Sequence, residues 1–309
     1  MILCIGTTPV LQRTFTLARL NLDQVNRAIS TDEYASGKSI NVARVLHTLG
    51  EEVIATGFLG GDSGRFIRDE LSGGGLATDF ITVEPKTRTC ITVIDQSAST
   101  VTELVEESRE IEKPAWSKLR SRIAELLPKA KVMVLSGSLT PNALVDFYCW
   151  CANRATDSAI NTVIDASGEP LRRALAARPL IVKPNRAELA KTLDTPIESD
   201  AALRDAIKQL IDLGPHWAVI TEGKAGAIVS NASQFWRVRS PKVEAVNPIG
   251  SGDSLAAGLA SAISRGQRMP DACRLAVACG AANAMTARAG TVRPDDVAEL
   301  LEKTTIDPW

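Results

Sequence analysis

Asn247-Pro248-Ile249-Gly250-Ser251-Gly252-Asp253-Ser254 is the stretch of this chain whose residue types and spacing suit a reaction. Two glycines bracketing a serine at a helix start let several backbone N–H groups converge on one point, where the helix dipole also favours negative charge. An anion can be held there. Asp253 lies in the same turn, and two roles fit it. It complements the positive end of the helix dipole, or it accepts the proton of a hydroxyl that attacks a phosphate held by the glycine amides. No lysine follows Gly252 where a Walker A loop requires one.

Such a site needs a frame. Short segments rich in branched apolar residues, near 53–58, 132–135, 162–164, 180–182 and 217–220, read as buried parallel strands. Amphipathic runs near 62–73, 115–127, 142–154, 168–176, 186–192 and 199–212 lie between them. The alternation predicts an α/β fold: a mainly parallel central sheet with helices on both faces. Two segments, about 11–37 and 86–107, carry strand patterns with no helix between them, including 14–17, 27–30, 89–94 and 100–104. They predict a small antiparallel sheet projecting from the core, whose apolar face needs cover as a lid, a dimer contact or both. After Gly252 the chain turns helical, over 254–264, 271–287 and 294–303. No repeat or low-complexity linker interrupts residues 1–309, so the expectation is a single domain with a lid excursion.

Composition excludes several classes of function. With 35 basic and 36 acidic residues the formal charge is -1, so no global field attracts nucleic acid or an anionic membrane, and an anionic ligand must be held by local groups. No apolar run is long enough to span a bilayer, and Met1-Ile2-Leu3-Cys4-Ile5-Gly6 reads as a strand where a signal peptide would have a charged start; the expected location is the cytoplasm. Six scattered cysteines do not make a disulfide scaffold. Two histidines, His47 and His216, rule out a three-histidine metal site, and Cys149 and Cys151 have no second pair to complete a zinc site.

The octapeptide at 247–254 resembles the C-terminal signature of the PfkB, or ribokinase-like, carbohydrate kinases, and other stretches match that family in order along nearly the whole chain. Ala35-Ser36-Gly37-Lys38-Ser39-Ile40-Asn41-Val42-Ala43-Arg44-Val45-Leu46 resembles its N-terminal signature, and Thr56-Gly57-Phe58-Leu59-Gly60-Gly61-Asp62-Ser63-Gly64 the glycine-rich stretch that follows. Thr87-Arg88, Leu135-Ser136-Gly137-Ser138-Leu139, Lys183-Pro184-Asn185-Arg186-Ala187-Glu188 and Thr221-Glu222-Gly223-Lys224-Ala225-Gly226 continue the series. Within the family the similarity is to the 1-phosphofructokinase and tagatose-6-phosphate kinase branch.

This resemblance implies a ribokinase-like fold, ATP and Mg²⁺ as cofactors, and phosphoryl transfer to a hydroxyl of a sugar phosphate: fructose 1-phosphate, tagatose 6-phosphate or a related hexose phosphate. It makes Asp253 the general base and Gly250, Ser251 and Gly252 the anion hole. Asn185 and Glu188 become the pair that organises Mg²⁺, although their spacing also suits a helix capping box. Lys183, Thr221, Gly223, Gly226 and Asn283 fall to the nucleotide, with Asn283 near adenine. Gly37 and Asn41 fall to the sugar hydroxyls and Ser138 to the region of the sugar phosphate, with Arg27, Lys38 and Arg88 as cations for that phosphate.

The acceptor end departs from the pattern. Thr8-Pro9-Val10-Leu11-Gln12 stands where the family has Asn-Pro-Ala-x-Asp, so a neutral amide at Gln12 replaces a carboxylate that binds vicinal hydroxyls. Ser36-Gly37-Lys38-Ser39 stands where Gly-Gly-Lys-Gly is usual, and the added side chains narrow the space beside the sugar. A changed acceptor preference is therefore expected. Two alternatives stay open: a kinase of the same family for an unphosphorylated sugar, sugar acid or nucleoside, and a non-catalytic sugar-binding protein on this scaffold. A homodimer through the lid is the expected assembly.

Overall fold

In the computed structural model, which describes residues 1–309, the chain opens with β1 (Ile2–Ile5), an interior strand third from one edge of a ten-stranded sheet. It leaves at once to build β2 (Val10–Leu17) and β3 (Ser30–Ser36) of a separate sheet, and returns through α1 (Lys38–Thr48) to β4 (Val53–Thr56). Past Gly57 it leaves the main sheet again as β5 (Phe58–Gly60), so the apolar run expected as one strand serves two sheets. Then come α2 (Gly61–Gly73), β6 (Ala77–Thr78), β7 (Ile81–Val83) paired with β5, and a second excursion, β8 (Thr89–Asp95) and β9 (Thr100–Val105).

The remainder is the expected alternation: α3 (Lys113–Leu126), β10 (Val132–Ser136), α4 (Phe147–Asp157), β11 (Asn161–Asp165), α5 (Gly168–Leu175), β12 (Ile181–Val182), α6 (Arg186–Leu193), α7 (Asp200–Asp212) and β13 (Trp217–Thr221). The helices expected after Gly252 are present, with strands on either side of them. β14 (Gly226–Ser230) and β15 (Phe235–Arg239) precede α8 (Ser251–Ser264), α9 (Met269–Ala284) and α10 (Pro294–Lys303), and β16 (Thr305–Pro308) closes the sheet edge. β14 and β15 follow β13 through tight turns and β16 returns from α10, so the three extend the sheet antiparallel beyond β13.

From β6 through β4, β1, β10, β11 and β12 to β13 the strands are parallel. The chain walks outward from β1 to β4 and β6, then restarts at β10 on the other side of β1. That reversal opens a crevice beyond the carboxyl ends of β1 and β10, the usual ligand position in open α/β sheets. Alternate strand residues feed two cores. Ile2, Cys4, Val132 and Val134 pack with α1, α8 and α9, while Leu3, Ile5, Met133 and Leu135 pack with α3 to α7. Each residue is fully buried or nearly so, and truncating one such leucine to alanine costs about 2–5 kcal/mol.

The small sheet runs β3-β2-β8-β9, and it is mixed, not antiparallel as expected. β2 and β8 pair parallel, because both leave the same end of the main sheet and a long excursion through α1, β4 and α2 separates them. Residues 27–29 precede β3 and form no strand, so Arg27 lies in the exposed connection between β2 and β3.

α8 and α9 pack closer than large side chains would allow. A Cβ on Gly258 would meet the Ala276 Cα at 2.6 Å, which explains why α8 is built almost wholly of small residues. This close pair brings the first turn of α8 against the carboxyl ends of the central strands.

Candidate active site

Gly250 caps α8 in the left-handed conformation, φ 84°, and a Cβ there would meet the Gly290 amide at 2.6 Å; only glycine satisfies both conditions. The Ser251 amide turns back to the Pro248 carbonyl at 3.2 Å. The Gly252 and Asp253 amides have no acceptor in the protein and are the donors an anion at this helix end would meet. Ser251 is therefore a structural member of the loop: its hydroxyl accepts from Asn283 Nδ2 at 3.2 Å and its amide is spent on the turn.

Asn283, expected near adenine, has its side-chain bonds inside the protein. It is fully buried, donating to the Ile249 carbonyl at 2.9 Å and accepting at Oδ1 from Ser254 Oγ at 3.1 Å and from the Gly290 amide at 2.7 Å. The small residues of α8 let α9 approach, and a polar residue at that contact must satisfy itself internally. These bonds tie Asn283 to the Ile249–Gly252 loop.

Asp253 is buried, and Asn41 Nδ2 donates to its Oδ2 at 2.7 Å. Asn41 is in turn fixed by Ser36, whose hydroxyl donates to Asn41 Oδ1 at 3.0 Å. Asn41 thus orients the carboxylate, with little surface left for sugar hydroxyls. Burial pushes the Asp253 carboxyl up; the Lys38 ammonium and the Asn41 bond pull it down, Asp165 adds to the rise, and the balance is about 6. Desolvation wins. A carboxylate so placed is ionised at neutral pH yet basic enough to take a proton.

Asp165, at the end of β11, is fully buried and was not among the residues the motifs singled out. Lys38 Nζ lies 3.1 Å from its Oδ1, and Lys183 Nζ lies 3.2 Å from its Oδ2. Burial raises the Asp165 carboxyl, but Lys183 and Lys38 outweigh it and the net shift is down. Asp165 in turn holds the Lys38 ammonium well above the ordinary lysine range. Lys183 is 3% exposed, so it is no surface lysine, and a Cβ at Gly252 would sit 3.6 Å from its Nζ. Lys38 also reaches Glu188 Oε1 at 3.6 Å, which ties it to the Asn185–Glu188 turn. The signal for Asp165 was present in the sequence: a lone carboxylate ending an apolar strand has to be paired or functional.

Asn185 and Glu188 form the reciprocal capping box at the start of α6, with Asn185 Oδ1 accepting from the Glu188 amide and Glu188 Oε2 from the Asn185 amide, both at 2.8 Å. Thr221 bridges to Asn185 at the end of β13. Gly223 is exposed in the turn beyond it, whereas Gly226 is buried with its Cα pressed on β15; a Cβ there would lie 2.0 Å from the Val238 carbonyl oxygen. Gly226 shapes the hairpin and lines no open surface.

On the lid side, Gly37 caps α1, and Gln12 is buried with Nε2 donating to Thr92 Oγ1 at 2.9 Å. Ser138 is exposed, its hydroxyl 3.5 Å from that of Thr8. Arg88 donates to the Glu106 and Thr8 carbonyls and borders a cavity of about 30 Å³ together with Lys86, Arg109, Thr8, Ser108 and Thr140. Arg88 Nε, Ser108 Oγ and Thr140 Oγ1 are buried there without a partner. Of the three expected phosphate cations, Arg88 is the one in this cavity.

Residues 1–296 match the model of the pfkB family carbohydrate kinases. The chain belongs to this family. A tagatose-6-phosphate kinase of Staphylococcus epidermidis is 33% identical over 309 residues, 99% of each chain. The crystal structure of a putative phosphofructokinase from Staphylococcus aureus shares 30% identity, with a TM-score of 0.82 over 100% of this chain and 99% of that one. A possible 1-phosphofructokinase of Thermotoga maritima superposes with a TM-score of 0.91 at 22% identity, covering 100% and 99%, and shows the common ribokinase-like fold. The kinase has no helix long and apolar enough to cross a membrane.

Proposed function

We propose that this kinase transfers the γ-phosphoryl group of ATP to a hydroxyl of a hexose phosphate of the fructose 1-phosphate or tagatose 6-phosphate type, with Asp253 as general base. The observation that carries the reading is the meeting, at the carboxyl ends of the parallel strands, of the unpaired Gly252 and Asp253 amides, the Asn41-oriented Asp253 carboxylate and the Lys38 and Lys183 ammoniums. Amides and ammoniums neutralise the phosphate in transit while the carboxylate takes the hydroxyl proton.

The phosphorylated acceptor is supported by Arg88, Lys86 and Arg109 around the cavity at the lid base, where the orphaned Ser108 and Thr140 hydroxyls lack a partner that phosphate oxygens would supply. The named activity of the S. epidermidis relative points to the same class. Gln12 offers a neutral amide already tied to Thr92, so the hydroxyl pattern recognised differs from that of an enzyme with a carboxylate there.

Mg²⁺ fits the donor set. No cluster of three or more His, Cys, Asp or Glu side chains is present, and one amide oxygen at Asn185 with one carboxylate at Glu188 suits a cation that keeps its waters and bridges substrate phosphates. When bound, it would neutralise charge on those phosphates.

The assembly proposed is a homodimer through the lid, where Leu22, Val25, Ile29, Leu104 and Val105 are 83%, 82%, 62%, 56% and 51% exposed. The deciding assay is ATP turnover across a panel of sugar phosphates and free sugars. Saturable turnover of a hexose phosphate, lost on changing Arg88 to Met through a KM rise of at least tenfold, supports the reading. Preference for a free sugar, or no acceptor-stimulated turnover, overturns it.

A further inference from the structure

Asp165 is the buried charge whose presence the motif roles do not explain. Its two oxygens are divided between two lysines from distant parts of the chain: Lys38 at the start of α1 donates to Oδ1 at 3.1 Å, and Lys183, just beyond β12, faces Oδ2 at 3.2 Å as an ion pair that leaves Oδ2 without a hydrogen bond. One ammonium faces Glu188 at 3.6 Å and the other lies beside Gly252, so the pair spans the gap between the α6 and α8 starts. Burying such a group for stability alone is a poor device, because an apolar replacement of similar volume is often neutral or stabilising.

We infer that Asp165 is a positioning residue for phosphoryl transfer, holding Lys38 and Lys183 apart and aimed along the path of the phosphate between the Asn185–Glu188 turn and the Gly252–Asp253 amides. It touches no substrate and acts through the lysines. Without it, the carboxylates left to Lys38 are Glu188 and Asp253. A lysine that pairs with Asp253 weakens the base, and one that pairs with Glu188 leaves the path. Asp165 therefore keeps two positive charges available and one carboxylate free, the preorganisation that electrostatic catalysis requires. The inference rests on the kinase reading and is independent of which acceptor the enzyme prefers.

The test is a double-mutant cycle on the full chain, with whichever acceptor the wild type turns over, reading kcat and both KM values. Asp165→Asn keeps shape and burial and removes the charge; we expect kcat to fall about 100-fold with the acceptor KM within threefold. Combined with Lys183→Met, the loss in kcat should fall short of the product of the two single losses by at least fivefold, because the carboxylate acts through that lysine. Losses that multiply to within fivefold, or Asp165→Asn with kcat within threefold of wild type, overturn the inference. A melting curve identifies a variant that fails to fold, and Asp165→Ser, with room for a water in place of the carboxylate, then enters the same cycle under the same criteria. Should the wild type phosphorylate free sugars and no sugar phosphate, the acceptor reading fails while the cycle, run on that sugar, still decides the role of Asp165.

Discussion

Asp253 combines two properties in one carboxyl group: it is buried enough to be pushed up to about 6 and hydrogen-bonded enough, through Asn41, to stay aimed. Its folded-state pKa lies above the ordinary aspartate value of 3.8, so folding favours its protonated form and the ionised form costs stability as pH rises from about 4 to 6. At neutral pH that cost is on the order of 3 kcal/mol, from about 1.4 kcal/mol per pH unit. Two outcomes are expected of Asp253→Asn. Turnover falls by at least 10²–10⁴, the range for a positioned base, with nucleotide affinity little changed in a binding titration. The melting temperature at pH 7 rises, since the amide oxygen still accepts from Asn41 and no charge is buried. Wild-type kcat should fall tenfold per unit below about pH 6 and level off above it; a profile flat to pH 4.5 would remove Asp253 as the base.

The first turn of α8 holds the anion-binding amides only because of its contact with α9 and the loop that follows. Gly250 is the sensitive position: alanine there would meet the Gly290 amide at 2.6 Å in a backbone conformation that side chains disfavour. We expect Gly250→Ala to lower kcat at least 100-fold and stability by about 1–3 kcal/mol, measured by turnover and denaturant melts. Asn283→Ala leaves the Gly290 amide and Ser254 hydroxyl unsatisfied, and should destabilise by about 1–3 kcal/mol per orphaned group while ATP affinity in the folded fraction stays near wild type. A selective loss of ATP affinity would instead support a place for it beside adenine. The lid is held by side chains of the same region, with Tyr34 OH accepting from the Ala289 amide at 3.1 Å and Arg288 Nη2 lying 2.7 Å from Asp32. The lid therefore bears on the loop that shapes the anion hole.

Across the whole molecule, the parallel strands supply the rigid floor and the lid sheet supplies the wall that carries Gln12 and Arg88. The lid carries exposed apolar residues at both its ends, at 22–29 beyond the β2–β3 tip and at 104–105 at the end of β9. Replacing Val25 and Leu104 by aspartate should convert a dimer to a monomer in light scattering. A monomeric wild type at micromolar concentration would end the dimer reading.

The alternation of apolar and amphipathic segments made the parallel core legible, and every expected helix lies within a few residues of its place, because periodicity records which face of each element is buried. The family motifs, in order, likewise located the cleft. The strands from 226 onward and the parallel pairing of β2 with β8 escaped, since short strands joined by turns leave no period of their own and register is decided by what packs on the sheet. Motif positions named Gly250-Ser251-Gly252-Asp253, Lys183 and Asn283, but not what each touches. Tertiary structure alone turned Asn283 inward, spent the Ser251 amide on a turn, and set Asp165 between Lys38 and Lys183. A residue type fixes the bonds a side chain is able to make; which partner is within 3 Å, as Asp253 is of Asn41, depends on chain segments more than a hundred positions away.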